Sequence, residues 1–245
     1  MKTQEARNLG IQIGALVQEG KPVEAYELLR PILGQRTPFR LLMEIAAPIG
    51  AAKPAQADDL LGMIAGDKTE GGWVIIGGIL GQWLERNRAG AFARCRNYVI
   101  QGDTWFAADI LGERVPGPAL VASFQPALRL LKPWRDDDNH WVRRAVGVAA
   151  HFWAKRTRGE RPEQAIEMLA LLRPLFGEWD MDAVKGIGWG LKTLGRHYPD
   201  QVAQWLAGVL PARPRYRALM LRKVLTYLPR EQRDAITGRR TKEES

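Results

Sequence analysis

WVIIGGIL, residues 73–80, is the stretch of this chain that comes nearest to a β-strand. A short, continuous apolar run suits a buried strand or a buried helix, and its periodicity does not separate the two. The adjacent glycines Gly77 and Gly78, with Gly81 just beyond, read more easily as points of close helix packing than as the middle of a strand. The run is therefore expected to be a buried helix. No other segment alternates well enough to pair with it.

Outward from this run, apolar residues recur at spacings of three and four, punctuated by Pro and Gly. PVEAYELLRPIL (22–33), TPFRLLMEIAAPIG (37–50) and QADDLLGMIAG (56–66) each make a few turns, and DTWFAADILGERV (103–115) reads as a further helix. The pattern continues over 89–102, 118–134, 139–156, 161–177, 180–198, 199–210 and 213–229. Thr37 and Pro38 are placed as cap and first helical residue, and Asp138 or Asn139 as the cap of the helix beginning near Trp141. About a dozen helices with short links predict an all-α fold, a right-handed α-solenoid of degenerate HEAT-like hairpins whose concave face would take an extended partner. No linker divides the chain, so 1–236 is expected to be one domain and 237–245 a disordered tail.

The 245 residues are 46% hydrophobic, enough for a sizeable core, and carry a formal net charge of +9. That balance favours a polyanionic partner, nucleic acid ahead of an anionic membrane surface. No apolar run reaches the roughly 18 residues of a membrane span. The start, MKTQEARNLG, lacks a signal-peptide layout, and one cysteine, Cys95, suits a reducing cytosol. A cytoplasmic monomer is expected. His140, His151 and His197 lack a second ligand at metal spacing, and Ser123 and Ser245 lie outside any nucleophile motif. With no Gly-rich loop after a strand, neither a metal nor a cofactor is expected.

Positive charge gathers in three places: Arg143 with Arg144; Lys155, Arg156, Arg158 and Arg161; and the stretch from Gln201 to Arg230, which has no acidic residue. In the last, Arg213, Arg215 and Arg217 precede Arg222 and Lys223, and a shared helix face or N-terminal turn there would suit phosphates. Among nine tryptophans, Trp73, Trp83, Trp153, Trp179 and Trp205 read as core. Three others have a charged neighbour on the same helix face: Trp105 with Asp109, Trp141 with Arg144, and Trp189 with Lys185.

These segments resemble the DNA alkylation repair family of the AlkD type, glycosylases built from HEAT-like repeats. The resemblance runs from about residue 30 to 228 through LGQRTPFRLLMEI (33–45), TWFAADILG (104–112), DNHWVRRAV (138–146), VKGIGWGL (184–191) and RPRYRAL (213–219). It implies an enzyme that excises cationic alkylated purines, of the N3-methyladenine and N7-methylguanine type, from double-stranded DNA without drawing the base into a pocket. It assigns Asp109 as the catalytic carboxylate, Trp105 and Trp189 as aromatic walls, and Arg144 as the arginine near the DNA backbone. Arg143, Trp141, Lys185, Arg213, Arg215 and Arg217 complete the expected DNA-binding set. The chain departs from the family pattern at Phe106 and Ala107, in a longer RTRGERPEQ connection (156–164) and over residues 1–30. The alternative is a HEAT-like protein that binds damaged or unusual DNA without cleaving it. A protein-interaction scaffold is the third reading, against which the Arg213–Lys223 cluster argues.

Overall fold

The WVIIGGIL run lies in a helix, Glu70–Gln82, in which every residue from Gly72 to Leu80 is buried. An all-round buried helix has no polar face, which is why its sequence shows no amphipathic stripe. Thr69 starts it, accepting the Gly72 N–H at 3.1 Å. The computed structural model describes residues 1–212 and 215–238, with no strand among them. The chain divides into two compact units, Met1–Ala119 and Leu120–Ser245.

The first unit holds α1 (Thr3–Gln18), α2 (Pro22–Leu33), α3 (Phe39–Ile49), α4 (Pro54–Gly66), α5 (Glu70–Gln82), α6 (Arg88–Gly102) and α7 (Trp105–Arg114). α1 packs on α3, α3 on α5 and α5 on α7, while α2 packs on α4 and α4 on α6. Two layers of alternating helices are what successive hairpins produce when they stack. The glycine pair works as expected: a Cβ added at Gly78 would meet Ala46 Cβ at 2.6 Å, and one at Gly77 would meet Arg114 Cδ at 2.9 Å. α5 thus approaches α3 and α7 closely. α1 is a helix the spacing does not mark, because its buried residues, Ala6, Gly10, Ile13, Gly14 and Val17, are mostly too small to stand out. Pro38, not Thr37, takes the cap position of α3; the Thr37 hydroxyl donates to the Ile32 carbonyl at 3.3 Å.

A short helix, α8 (Pro116–Ala122), contains the boundary, so no change of composition betrays it. The second unit continues with α9 (Phe124–Leu131), α10 (His140–Thr157), α11 (Pro162–Leu172), α12 (Met181–His197), α13 (Pro199–Val209), α14 (Ala218–Val224) and α15 (Arg230–Thr237). α10 packs on α12 and α12 on α14; α11 packs on α13 and α13 on α15. A Cβ at Gly147 would overlap the Ile187 Cα, and one at Gly190 would overlap the Gly147 carbonyl, so α10 and α12 touch backbone to backbone.

Two expected helices are broken by proline, and a third is shorter than its apolar spacing suggests. The 118–134 segment becomes α8, α9 and a 3₁₀ turn over Lys132–Asp136. If one helix ran through, the Pro126 ring would press on the Ala122 carbonyl. The 161–177 segment ends as a helix at Leu172 and continues as a 3₁₀ turn, Pro174–Gly177. In the 213–229 segment, Arg213 lies outside the described residues, 215–217 are not helical, and α14 covers seven residues. The expected tail likewise lies outside them from residue 239 onward. Among the described residues no helix is long and apolar enough to cross a membrane.

Candidate functional site

In the first unit the site residues stand on α7. Asp103 closes α6 in the left-handed region at φ 48°, and Thr104 caps α7 by accepting the Ala107 N–H at 3.4 Å. This tight corner puts Trp105 in the first turn. Ala107, Ala108 and Leu111 are fully buried, whereas Trp105 is 57% exposed, and Asp109, one turn on, is half-buried. The aromatic ring and the carboxylate thus share the face that α7 does not bury. Phe106 meets the Trp105 ring edge-on at 5.8 Å. Ala107 must be small, because a Cβ added at its neighbour Gly102 would already lie 2.5 Å from the Ala107 Cβ. One departure from the family pattern is therefore set by packing between α6 and α7.

In the second unit Trp189 is half-buried on α12 and stacks on His151 of α10, centroids 3.8 Å apart and planes 25° from parallel. The Thr193 hydroxyl donates to the Trp189 carbonyl at 3.0 Å and lies 2.7 Å from His151 Nδ1. With its one proton committed, that hydroxyl accepts from Nδ1–H, which fixes the tautomer of the imidazole. Burial, and then the charges of Lys155 and His197, lower the His151 pKa to about 4. The ring under Trp189 is neutral at physiological pH. Sequence reading passes over His151; its only signal is its position two helical turns after Arg144.

The expected cations separate in the fold. Arg144 is 6% exposed and donates Nη1 to the Asp182 carbonyl at 2.8 Å, its side chain lying over Gly186. Trp141 is 8% exposed, with the Arg144 guanidinium 6.0 Å from its ring; its indole packs inside and is no open DNA contact. Arg143 bonds Glu178 through Nε at 2.5 Å and the Asp137 and Asp138 carbonyls through Nη1 at 2.7 and 2.9 Å, so it ties two loops together. Lys185 is exposed and paired with Asp182 at 3.0 Å. Lys223 runs beside Gly188, next to Trp189 in the chain. Its pKa is lowered by burial and then by Lys192, Arg144, Arg222 and Lys185. Five cations held this near one another form a positive field that suits a polyanion.

Of the five tryptophans read as core, Trp73, Trp83 and Trp153 are buried, whereas Trp179 is 43% exposed. It stands in the loop between the 3₁₀ turn and α12, where helical spacing has no bearing. The Arg215 and Arg217 guanidiniums each lie 4.0 Å from its ring centroid. The fold also brings His140 near Asp180 and Asp182, with one possible ligand atom from each within 4.8 Å of the others. Asp180 Oδ1 is spent on capping α12 and Asp182 Oδ1 on Lys185, so the group reads as the polar start of two helices.

A family model described as DNA alkylation repair enzyme matches residues 43–228. Among solved structures, the chain is similar to the Pseudomonas fluorescens alkylpurine DNA glycosylase AlkC bound to DNA containing an abasic site analog, with 16% identity and a TM-score of 0.60. The match covers 97% of this chain and 68% of that one. No curated protein matches.

Proposed function

Because the chain belongs to the DNA alkylation repair enzyme family, we propose that it is a DNA glycosylase releasing cationic alkylated purines, of the N3-methyladenine and N7-methylguanine type, from double-stranded DNA. The observation that carries this reading is the Trp105–Asp109 face of α7, an aromatic ring more than half exposed one turn from a half-buried carboxylate.

An N3- or N7-alkylated purine is already positively charged, so it leaves the sugar without a proton from a general acid. The remaining barrier is the oxocarbenium character that the sugar acquires as the bond breaks. Asp109 opposes that charge electrostatically and orients the attacking water. Trp105 offers a π-face to the same cation, worth about 0.5–2 kcal/mol. Trp189, on α12 of the second unit, is proposed as a further aromatic contact to the DNA. Arg144, fixed against Asp182, acts through its charge, in company with Lys185, Lys192, Arg222 and Lys223, on the phosphates of the duplex. Trp105 stands on an open helix face, which favours attack on a base that is not drawn into a pocket.

The test is release of free base from a methylated duplex by the wild type and by Asp109→Asn. Release of N3-methyladenine or N7-methylguanine by the wild type, reduced about 10²–10³-fold in the variant, is expected for loss of one electrostatic stabiliser. Release by neither protein, with salt-sensitive duplex binding intact, leaves a DNA-binding protein without this chemistry.

A further inference from the structure

Residues 215–217 precede α14 without helical structure, and Arg217 has the extended dihedrals φ −74° and ψ 135°. Side chains along such a segment alternate in direction. Tyr216 packs inward, 5.0 Å from Phe176, whose other neighbour is Trp205 at 5.4 Å. Arg215 and Arg217 turn the other way, and both meet the exposed Trp179 ring at 4.0 Å. Arg217 is also anchored to the Trp179 carbonyl, through Nε at 3.0 Å and Nη2 at 2.8 Å. Close approach of the loop fixes the arrangement: a Cβ at Gly177 would lie 3.2 Å from the Arg215 carbonyl.

Two guanidiniums on one ring repel each other, and among the described residues neither has an ion-pair partner. The neighbouring carboxylate, Glu178, is taken up by Arg143. Stacking uses the flat face of a guanidinium; the Nε–Nη2 edge of Arg217 is spent on the Trp179 carbonyl, so its Nη1 group and the N–H edge of Arg215 are what remain to donate to a phosphate. Such a pair is incomplete without an anion, and the surrounding stretch from Gln201 to Arg230 carries no acidic residue.

We infer that Trp179, Arg215 and Arg217 form a preorganised clamp for the sugar–phosphate backbone of duplex DNA, reading neither base nor lesion. Trp179 is the residue that makes it a clamp: it holds both charges in register at little entropic cost. The inference rests on the DNA-binding half of the reading above and not on its chemistry.

The test is binding of an undamaged duplex across a salt series by the wild type, Arg215→Gln/Arg217→Gln, Trp179→Ala and Trp179→Tyr. For the double arginine variant the slope of log K against log salt is expected to be shallower by about 1 for each phosphate that is no longer neutralised. Trp179→Ala keeps both charges yet is expected to weaken binding in the same direction, and Trp179→Tyr, which keeps an aromatic platform, to bind nearly as the wild type. Unchanged slope and affinity in the arginine variant overturn the clamp. So does Trp179→Ala binding like wild type, which reduces the arginines to diffuse charge. Loss of binding confined to phosphatidylserine vesicles overturns it in favour of a membrane surface. Because the duplex is undamaged, the outcome is independent of whether the protein releases any base.

Discussion

The imidazole of His151 lies flat under the indole of Trp189, 3.8 Å between centroids, and is itself held by the Thr193 hydroxyl that bonds the Trp189 carbonyl. Trp189 is thus set from behind through α10, and under the proposed function His151 is a positioning residue. His151→Ala is expected to slow base release at saturating DNA about three- to tenfold, as misplacement of a reacting group does, with duplex affinity unchanged. His151→Phe, which can still stack, should recover most of the rate. Single-turnover rates beside equilibrium affinities check this; a wild-type rate for His151→Ala removes His151 from the mechanism.

Acid should unfold the second unit in a way that this histidine governs. The His151 pKa is about 4 in the fold against a usual 6.5, so between those values the unfolded chain binds more protons. Stability is fully present above about pH 6.5 and is lost as pH falls toward 4, by on the order of 1–3 kcal/mol once solvent screening is allowed for. Denaturant midpoints measured at intervals from pH 7.5 to 4.5 should fall more steeply for wild type than for His151→Phe. Parallel curves would falsify the assignment.

The helices were legible because 3.6-residue periodicity survives wherever a helix has one buried face. It failed at α1, where small residues carry the stripe, and at Pro126 and Pro174, where apolar spacing runs on through a backbone that cannot. The Trp105–Asp109 pair was readable as a local spacing within one helix. Arg143 and Arg144 looked alike in sequence, but adjacent helical residues point about 100° apart. One therefore closes a loop on Glu178 and the other lies over Gly186. Trp179 and His151 were misjudged for a common reason. Each is defined by a partner more than thirty residues away, Arg215 and Arg217 in one case and Trp189 in the other.

The Arg143–Glu178 pair offers a contrast between structure and binding. Burial opposes ionisation of Glu178, but the Arg143 guanidinium and the Asp180 and Trp179 N–H groups outweigh it and hold the pKa below its ordinary value. Glu178→Gln is expected to cost about 1–3 kcal/mol, because a half-buried arginine loses its charged partner. Duplex affinity at fixed salt should not change. The contribution is present above the usual carboxylate range and fades as pH falls through the depressed value, so the wild type and variant should converge in stability only at pH below the usual carboxylate range. A large rise in DNA affinity with stability intact would place Arg143 on the binding surface.

Substituting alanine for glycine in a helix gains up to about 1 kcal/mol in propensity, and two sites in this chain should answer with opposite signs. At Gly62 in α4 an added Cβ meets nothing within 4 Å, so Gly62→Ala is expected to stabilise by a few tenths to about 1 kcal/mol. At Gly147 the added atom would fall on the Ile187 backbone, which has no rotamer to change. α10 and α12 must then separate, at a cost of about 1–3 kcal/mol or more, and the His151–Trp189 stack spans that same pair of helices. Gly147→Ala should therefore lower both the melting temperature and the rate of base release, whereas Gly62→Ala raises the first and leaves the second alone. Thermal unfolding and base release measured on both variants decide it; a stable Gly147→Ala protein would mean that the two helices do not pack backbone to backbone.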